Sequence, residues 1–295
     1  FCSRGMELKC QFTGQDTTNA INQYKFDRAG KDAIFAFKER VLVHFAVDLT
    51  NVYMTTRLEG AHTYFLPFNQ GSNGAGKVGG KGNPVNPNGY DTAYLWERVL
   101  CKDSLMEILQ KYMHLQQEYD KNGNLVKETM IFPRYHQLDV IRKVLEDIRQ
   151  NLTAQNYLIQ HSTGSGKTNS IAWLAHRLTS LHDSENRVIF DNVIIVTDRV
   201  VVDRQLQKAI MGMEHKAGLI RVMDDKCNSE DLAIAIKGNT KIIATTIQKF
   251  PYIVDSVAGL KNKRFAVLID EAHSSTSGKD RAAVTMALGS GEVDI

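Results

Sequence analysis

The fold of this chain is decided by one stretch, Gln160-His161-Ser162-Thr163-Gly164-Ser165-Gly166-Lys167-Thr168. A short apolar run, residues 156–159, precedes it and predicts a strand, and residues 169–181 follow with a helical pattern. A strand, a glycine turn and a helix start direct backbone N–H groups at one point, where the helix dipole adds positive charge. Lys167 then reaches the outer phosphates, and the Thr168 hydroxyl can bind Mg²⁺. The stretch therefore predicts a nucleotide phosphate loop, with His161 in place of the usual first glycine.

A second glycine-rich stretch, Gly71-Ser72-Asn73-Gly74-Ala75-Gly76-Lys77-Val78, contains the first glycine that the other loop lacks. Val78 cannot bind a metal, and the glycines and prolines after it cannot start a helix. Without a helix N-terminus there is no aligned set of donors for an anion. This stretch predicts a mobile loop rather than a phosphate site.

Length and composition set the outer limits. The 295 residues can hold two domains with separate cores, and the net charge of +3 gives no whole-chain signal for nucleic acid. The four cysteines are scattered without metal-ligand spacing, which favours a reducing cytoplasm. No apolar run reaches the length of a membrane span. Because the chain starts at Phe1 and stops soon after a motif, we expect a fragment of a longer protein.

Near the start, residues 5–10 have the pattern of a strand in which Glu7 and Lys9 share a face. A carboxylate beside an ammonium suits metal-assisted phosphodiester hydrolysis, in which Glu7 holds Mg²⁺ and Lys9 positions water and offsets charge. A solvated strand face is the alternative interpretation. A nuclease of this type also needs an aspartate before Glu7, and residues 1–6 contain none.

The segments after this triplet predict a mixed α/β region. Residues 17–25 can form a helix that carries Gln23, and strand-like runs follow at residues 33–37, 40–47 and 51–58. Two helices are predicted from residues 90–97 and from Ser104. The turn signal at residues 120–124 is a plausible domain junction.

The segment Phe132-Pro133-Arg134-Tyr135-His136-Gln137 precedes a predicted amphipathic helix. Gln137 can read an adenine edge, since its carboxamide both donates and accepts, and Phe132 or Tyr135 could stack on the base. A surface glutamine is the alternative.

The second half alternates apolar runs with helical stretches. Residues 192–196, 241–245 and 265–269 are continuous apolar runs, which indicate buried parallel strands, and residues 200–211 and 229–237 separate them as helices. Polar groups should then lie after the carboxyl ends of the strands, as Thr197 and Arg199 do after one strand and Thr246 and Gln248 at the next.

The last strand ends in Asp270-Glu271-Ala272-His273. Asp270 is placed to hold Mg²⁺ opposite Thr168, and Glu271 to orient and deprotonate the attacking water. His273 lies within reach of a group that senses the γ-phosphate. Combined with the upstream Gly-Lys-Thr loop, the motif is a strong signal for ATP hydrolysis.

These motifs resemble the first motor domain of superfamily 2 helicases and translocases, in which a non-glycine residue at the position of His161 is usual. The resemblance implies ATP and Mg²⁺ as cofactors, bound through Gln137, residues 163–168 and His273. It also implies DNA contacts from Thr197, Arg199, Thr246 and Gln248. These DNA contacts are expected from the resemblance and not from the residues themselves.

A set of motifs spanning nearly the whole chain resembles the restriction (motor) subunit of type I restriction–modification enzymes. The motifs are Glu7-Leu8-Lys9, Gln23, Phe65-Leu66-Pro67-Phe68-Asn69-Gln70-Gly71, Tyr94-Leu95-Trp96-Glu97 and Thr245-Thr246-Ile247-Gln248-Lys249-Phe250. The resemblance implies a nuclease joined to a two-lobed translocase on double-stranded DNA, with methylation and specificity subunits as partners. Gln23 joins Glu7 and Lys9 in the catalytic set. Where that family has a tyrosine four residues after the glutamine, this chain has Asp27, and Tyr24 is out of register.

We therefore expect an α/β chain. Residues 1–125 should form part of a restriction-endonuclease-like domain with connecting helices, and residues 126–295 a RecA-like, parallel-sheet P-loop domain. Since the resemblance assigns a γ-phosphate arginine to a second lobe, this chain alone should bind ATP–Mg²⁺ weakly and hydrolyse little. The alternatives are a helicase or translocase in repair or RNA remodelling, and a binding-only fragment without turnover.

Overall fold

The structure is a computed structural model that describes residues 4–152, 156–197, 204–213, 218–223, 227–252, 260 and 263–270. The chain divides into two compact units, residues 1–140 and 141–295. The domain boundary predicted between residues 125 and 126 stays a prediction. Among the described residues, no helix combines the length and apolar character needed to cross a membrane.

The first unit is built on a mixed four-stranded sheet. Its strands, in their spatial order, are β1 (Arg4–Leu8), β2 (Val43–Val47), β3 (Val52–Thr55) and β4 (Leu66–Pro67). β1 and β2 are parallel, whereas the other two pairs are antiparallel. A parallel pair needs a crossover connection, and helix α1 (Thr17–Asn22) lies in it. Asp16 starts this helix in a capping box with Asn19.

The chain after α1 departs from the predicted pattern. Residues Gln23–Asp27 form a π-helical turn, closed by the Arg28 N–H, which donates to the Gln23 carbonyl at 3.0 Å. The strand predicted at residues 33–37 is wrong, because this run forms turns in which the Phe35 and Ala36 amides donate to the Asp32 carbonyl. Local turn hydrogen bonds therefore replace sheet pairing there.

The first unit continues with a second π-helical segment, helix α2 and a β-hairpin. Their bounds are Leu95–Val99, Lys102–Lys111 (α2), His114–Tyr119 (β5) and Leu125–Ile131 (β6). The predicted turn at residues 120–124 is the hairpin turn, where the Asp120 carboxylate accepts the amides of Asn122 and Asn124 at 2.8 Å. The two strands contain many polar residues and no buried ones, so no apolar run predicted them.

Aromatic side chains form much of the first core. Phe45 of β2 meets Phe68 and Phe132 edge-to-face, and Tyr135 meets Phe68 and Tyr94 in the same way. Phe132 and Tyr135 are only 4% and 9% exposed. The suggestion that either ring stacks on a base is therefore wrong, since other side chains already cover both.

The second unit contains a parallel four-stranded sheet. Its strands, in spatial order, are β10 (Phe265–Ile269), β7 (Asn192–Thr197), β9 (Ile242–Thr246) and β8 (Ile220–Val222). The described helices are α3 (Tyr135–Asn151), which includes the boundary between the units, α4 (Lys167–Thr179), α5 (Arg204–Met211) and α6 (Ser229–Lys237). A 3₁₀ helix, Ile247–Tyr252, comes after β9. The three predicted apolar strands are confirmed; the short β8 was not predicted.

The strand predicted at residues 156–159 is wrong. Residues 156–160 have no regular structure, and Leu158 is 84% exposed. The Tyr157 hydroxyl instead donates to Asp147 of α3 at 2.5 Å. An apolar run becomes a strand only where neighbouring backbone groups pair with it, and no described strand pairs with this one.

Candidate functional site

The glycine loop of the second unit has the backbone that an anion site requires. Gly164 and Gly166 have φ values of +75° and +82°, in the left-handed region that glycine adopts without strain. α4 begins directly at Lys167, two residues earlier than predicted, with Gly166 as its N-cap. No side chain caps this helix start. The Asn169 amide donates to the Gly166 carbonyl at 3.1 Å, and a helix start without a capping side chain is where an anion can bind the first N–H groups.

The predicted loop residues differ in exposure. Thr163 and Gly164 are exposed, Lys167 and Thr168 are partly exposed, and Ser165 is buried, its amide donating to the Ser162 carbonyl at 3.2 Å. The glycines and Lys167 therefore border solvent at the helix start. This arrangement fits the outer phosphates of a nucleotide.

Asp270 comes directly after β10, the strand beside β7, and its amide donates to the Val196 carbonyl at 2.9 Å. α4 contacts both β7 and β10. A Thr168 hydroxyl and an Asp270 carboxylate are oxygen ligands of the kind Mg²⁺ takes, so the donor types fit this ion. Glu271, His273 and Arg199 lie outside the described residues.

The predicted DNA-contacting residues are not equally accessible. Thr197 and Thr246 are register partners at the carboxyl ends of β7 and β9, and each is 2% exposed. Gln248 is exposed in the 3₁₀ helix after β9. The three side chains thus lie at adjacent strand ends, as predicted, whereas their role in binding DNA stays a prediction.

Gln137 has a local structural role that was not predicted. It is 3% exposed, and its Oε1 accepts the Arg134 N–H at 2.8 Å. This is the side chain of the third helical residue reaching back to the cap of α3, one half of a capping box. The available sequence signal was a glutamine three residues after the N-cap position of a predicted helix. Its proposed contact with adenine stays a prediction.

In the first unit, the structure brings Lys9 and Gln23 together. The Lys9 Nζ donates to the Gln23 Oε1 at 2.6 Å. Lys9 lies just after β1 and Gln23 opens the π-helical turn, so the crossover between β1 and β2 delivers the glutamine to the lysine. Two of the three predicted nuclease residues are therefore in direct contact.

The third residue, Glu7, has a partner that sequence reasoning missed. Arg28 places Nε and Nη2 each 2.8 Å from the Glu7 Oε1. The π-helical turn explains this contact, because its i to i+5 closure aligns Gln23 and Arg28 along one side. The same contact raises the pKa of Arg28. Spacing rules for an α-helix would not have found this arginine.

Buried groups beneath these residues have shifted pKa values. Burial raises the pKa of Tyr24, and the nearby Glu7 carboxylate adds to this shift. Burial also lowers the pKa of His44 to about 4. The two rings lie 5.4 Å apart, edge to face. Tyr24 therefore stays a neutral phenol beneath Glu7.

Glu7 can supply one carboxylate ligand to Mg²⁺, an ion that often takes only one or two from a protein. The donor type fits, although Arg28 already holds one oxygen. Among the described residues there is no group of three or more His, Cys, Asp or Glu around a common point. Asp48, just after β2, does not fill this role, because its carboxylate accepts the amides of Thr17, Thr50 and Asn51.

The glycine loop, the helix start without a capping side chain and the parallel sheet are consistent with a RecA-like ATPase domain. A model of the SWI2/SNF2 ATPase family matches residues 136–292, more than half of the chain. The chain therefore belongs to the SWI2/SNF2 ATPase family.

Two similar curated proteins come from Methanocaldococcus jannaschii. The "Putative type I restriction enzyme MjaVIIP endonuclease subunit" is 31% identical over 170 residues, covering 52% of this chain and 15% of that protein. The "Putative type I restriction enzyme MjaVIIIP endonuclease subunit" is 24% identical over 206 residues, covering 63% of this chain and 19% of that protein. These names confirm the resemblance to type I restriction subunits. The chain thus spans less than a fifth of either relative, and no solved structure matches it significantly.

Proposed function

We propose that this chain is part of the motor subunit of a type I restriction–modification enzyme. In this proposal one unit uses ATP to drive translocation along double-stranded DNA, and the other cuts DNA with a divalent metal. The observation that carries it is the Lys9–Gln23 contact beside Glu7, in a chain whose second unit presents an uncapped phosphate loop. The names of the two relatives support the same assignment.

The second unit would bind the phosphates of ATP at residues 163–168. Lys167 neutralises charge on the transferring phosphoryl group. Thr168 and Asp270 would hold Mg²⁺, which supplies further charge neutralisation when bound. Glu271 would orient and deprotonate the attacking water, and His273 would respond to the γ-phosphate.

The first unit would act on the phosphodiester through Lys9. Its ammonium, held by Gln23, offsets the charge that develops on the scissile phosphate and positions the water. Glu7 would hold Mg²⁺, which adds electrostatic stabilisation. Because Arg28 contacts the same carboxylate, the arginine must shift or share Glu7 when a metal binds. Metal binding in the first unit is therefore expected to rearrange the contact between Arg28 and Glu7.

The partners belong to the same assignment. Thr197, Arg199, Thr246 and Gln248 would contact DNA, while methylation and specificity subunits would complete the enzyme in the cytoplasm. The target sequence would be read by the specificity subunit rather than by this chain.

The test is made in the intact enzyme on circular duplex DNA. Glu7→Ala or Lys9→Ala should abolish cleavage and leave DNA-dependent ATP hydrolysis near wild type, since the two activities belong to different units. Glu39→Ala and Lys31→Ala are matched controls, because both residues are exposed in the same unit. If a folded Glu7→Ala enzyme loses both activities, or keeps cutting, the nuclease assignment fails.

The same assay separates the alternatives. A helicase or translocase in repair or RNA remodelling would hydrolyse ATP without cutting a circular duplex. A binding-only fragment would do neither. Only the restriction enzyme gives ATP-dependent cleavage that requires Glu7.

A further inference from the structure

An open pocket of about 280 Å³ lies beside the Lys9–Gln23 contact. Besides these two residues, its lining includes Asn19, Asn22, Phe26 and Asp27, all on or next to α1 and the π-helical turn. It is therefore a polar pocket with one aromatic wall, next to a candidate catalytic lysine. Resting on the proposed function, we propose that this pocket binds one unpaired nucleotide of the DNA strand, its base stacked on Phe26 and its phosphate toward Lys9.

The aromatic wall is available for stacking. Phe26 is 69% exposed, although it lies only two residues after the fully buried Tyr24. A single exposed phenylalanine is ordinary on a protein surface. Here the exposed ring shares one pocket with a lysine and several carboxamides, the combination that a nucleotide's base, phosphate and polar edge require.

The polar lining suits a base edge without selecting one base. Asn19 uses its Oδ1 to accept the Asp16 amide at 2.9 Å, which leaves its NH₂ to donate. Asn22 can both donate and accept, and Asp27 accepts from an amino group. The site should therefore tolerate several bases, as stacking sites for single strands do.

The size of the pocket argues for an unpaired nucleotide. Sites for drug-sized ligands span about 300–1,000 Å³, and this pocket, at about 280 Å³, is slightly smaller than that range, which suits one base. In a duplex both faces of a base are already stacked, so contact with Phe26 requires a base outside the stack. The nuclease unit would therefore engage a strand that is locally unpaired next to the bond it cuts.

Photo-crosslinking tests the site directly in the intact enzyme, without added divalent metal so that DNA is not cut. The probe is an oligonucleotide with a single 5-iodouracil, presented as a single strand, in an overhang and in a fully paired duplex. Mass spectrometry should locate the crosslink at Phe26 for the first two probes and find none there for the duplex. No crosslink at Phe26, or an equal one from the duplex, would overturn the proposal.

Phe12 supplies a matched control. It is an 89% exposed phenylalanine of the same unit, and it is not part of the pocket lining. Phe26→Ala should weaken the binding of a short single strand by about 5- to 150-fold, the range expected for one stacked base, and Phe12→Ala should leave it unchanged. Equal losses in the two variants would mean general surface contact and would also overturn the proposal.

The outcomes separate this site from the proposed nuclease. A Phe26 crosslink in an enzyme that never cuts DNA would support the nucleotide-binding pocket and contradict the nuclease assignment. Glu7-dependent cutting without a Phe26 crosslink would support the nuclease assignment and contradict the nucleotide-binding pocket. Because Phe26 is largely exposed, Phe26→Ala should fold, and Phe26→Leu repeats the test with a larger apolar side chain.

Discussion

Two loops in this molecule share the pattern Gly-x-Gly-Lys, yet their structures differ beyond the lysine. In the first, Gly74 and Gly76 have φ values of +91° and +75°; in the second, Gly164 and Gly166 have +75° and +82°. Both loops thus place both glycines in the left-handed region. The second loop leads into α4, whereas the first returns on itself, with the Ser72 amide donating to the Gly80 carbonyl and the Gly80 amide to the Ser72 Oγ.

The difference shows that glycine conformation alone does not form a phosphate site. In the first loop, side chains of the loop itself bind its backbone; for example, the Asn73 Nδ2 donates to the Val78 carbonyl at 2.7 Å. In the second, the N–H groups of a helix start have no capping side chain. The structure of the residues after the lysine therefore decides whether donors are left for an anion.

The largest expected effect is on ATP turnover, and it should distinguish Lys167 of the second loop from Lys77 of the first. Lys167→Ala should reduce DNA-dependent ATP turnover of the intact enzyme by about 10²–10³ or more, because it removes a cation that stabilises the transferring phosphoryl group. Lys77→Ala, the same change in the other loop, should leave turnover unchanged. A phosphate-release assay measures both, and near-normal turnover in Lys167→Ala would remove this lysine from the site.

The second prediction uses pH to act on one unit only. His44 is 1% exposed, and its folded pKa of about 4 lies below its ordinary value of 6.5. Protonation therefore favours the unfolded chain, so stability present above pH 6.5 should be lost progressively toward pH 4, up to about 3 kcal/mol. The unit with the Gly71–Gly82 loop should weaken, and nucleotide binding by the other unit should be less affected.

The two tryptophans allow this to be measured unit by unit. Trp96 lies in the first unit and Trp173 in the second, so Trp173→Phe and Trp96→Phe each leave one fluorescent reporter. The Trp96 unfolding transition should shift with acid, and His44→Phe should flatten that shift. An unchanged slope in His44→Phe would assign the acid sensitivity to other groups.

The third comparison concerns the glycines. Gly164→Ala and Gly74→Ala each place a Cβ at positive φ with no contact closer than 3.7 Å, so each should cost about 1–2 kcal/mol of backbone strain. Only Gly164→Ala should also weaken the binding of a non-hydrolysable ATP analogue, as measured by titration calorimetry. Equal nucleotide affinity in the two variants would show that the left-handed turn at Gly164 is not needed for the ligand.

The smallest expected effect is on the free energy of unfolding, when the side chain that caps the start of α3 is removed. Gln137→Ala removes the side chain that caps α3 and should lower the free energy of unfolding by about 1 kcal/mol. Gln150→Ala, at an exposed position of the same helix, should change it little. Adenine recognition by Gln137 makes a separate prediction, a selective loss of ATP over other nucleoside triphosphates.

Continuous apolar runs predicted three strands of the second unit, because strands buried on both faces of a parallel sheet are apolar along their whole length. β7, β9 and β10 lie where they were expected, and α6 spans Ser229–Lys237 as predicted. The runs at residues 33–37 and 156–159 are also apolar but do not form strands, since strand pairing is decided by tertiary context.

The candidate nuclease site was predicted only in part. Strand alternation placed Glu7 and Lys9 together, and the family resemblance named Gln23, now seen in contact with Lys9. Arg28 and Phe26 carried no sequence signal, because their positions depend on the π-helical turn. The 3.6-residue periodicity of an α-helix does not predict which side chains a π-helical turn brings to the same side.

That turn also bears on how such chains are compared. A helical turn closed between Gln23 and Arg28 holds one residue more than an α-helical turn, so it is structurally a one-residue insertion. An insertion shifts the register of the residues that follow it, and Asp27, which stands at the place of the family's tyrosine, is the last residue of this turn. An ungapped alignment would pair the family's tyrosine with Asp27. An alignment with a single gap in this turn would pair that tyrosine with Arg28, the residue that contacts Glu7.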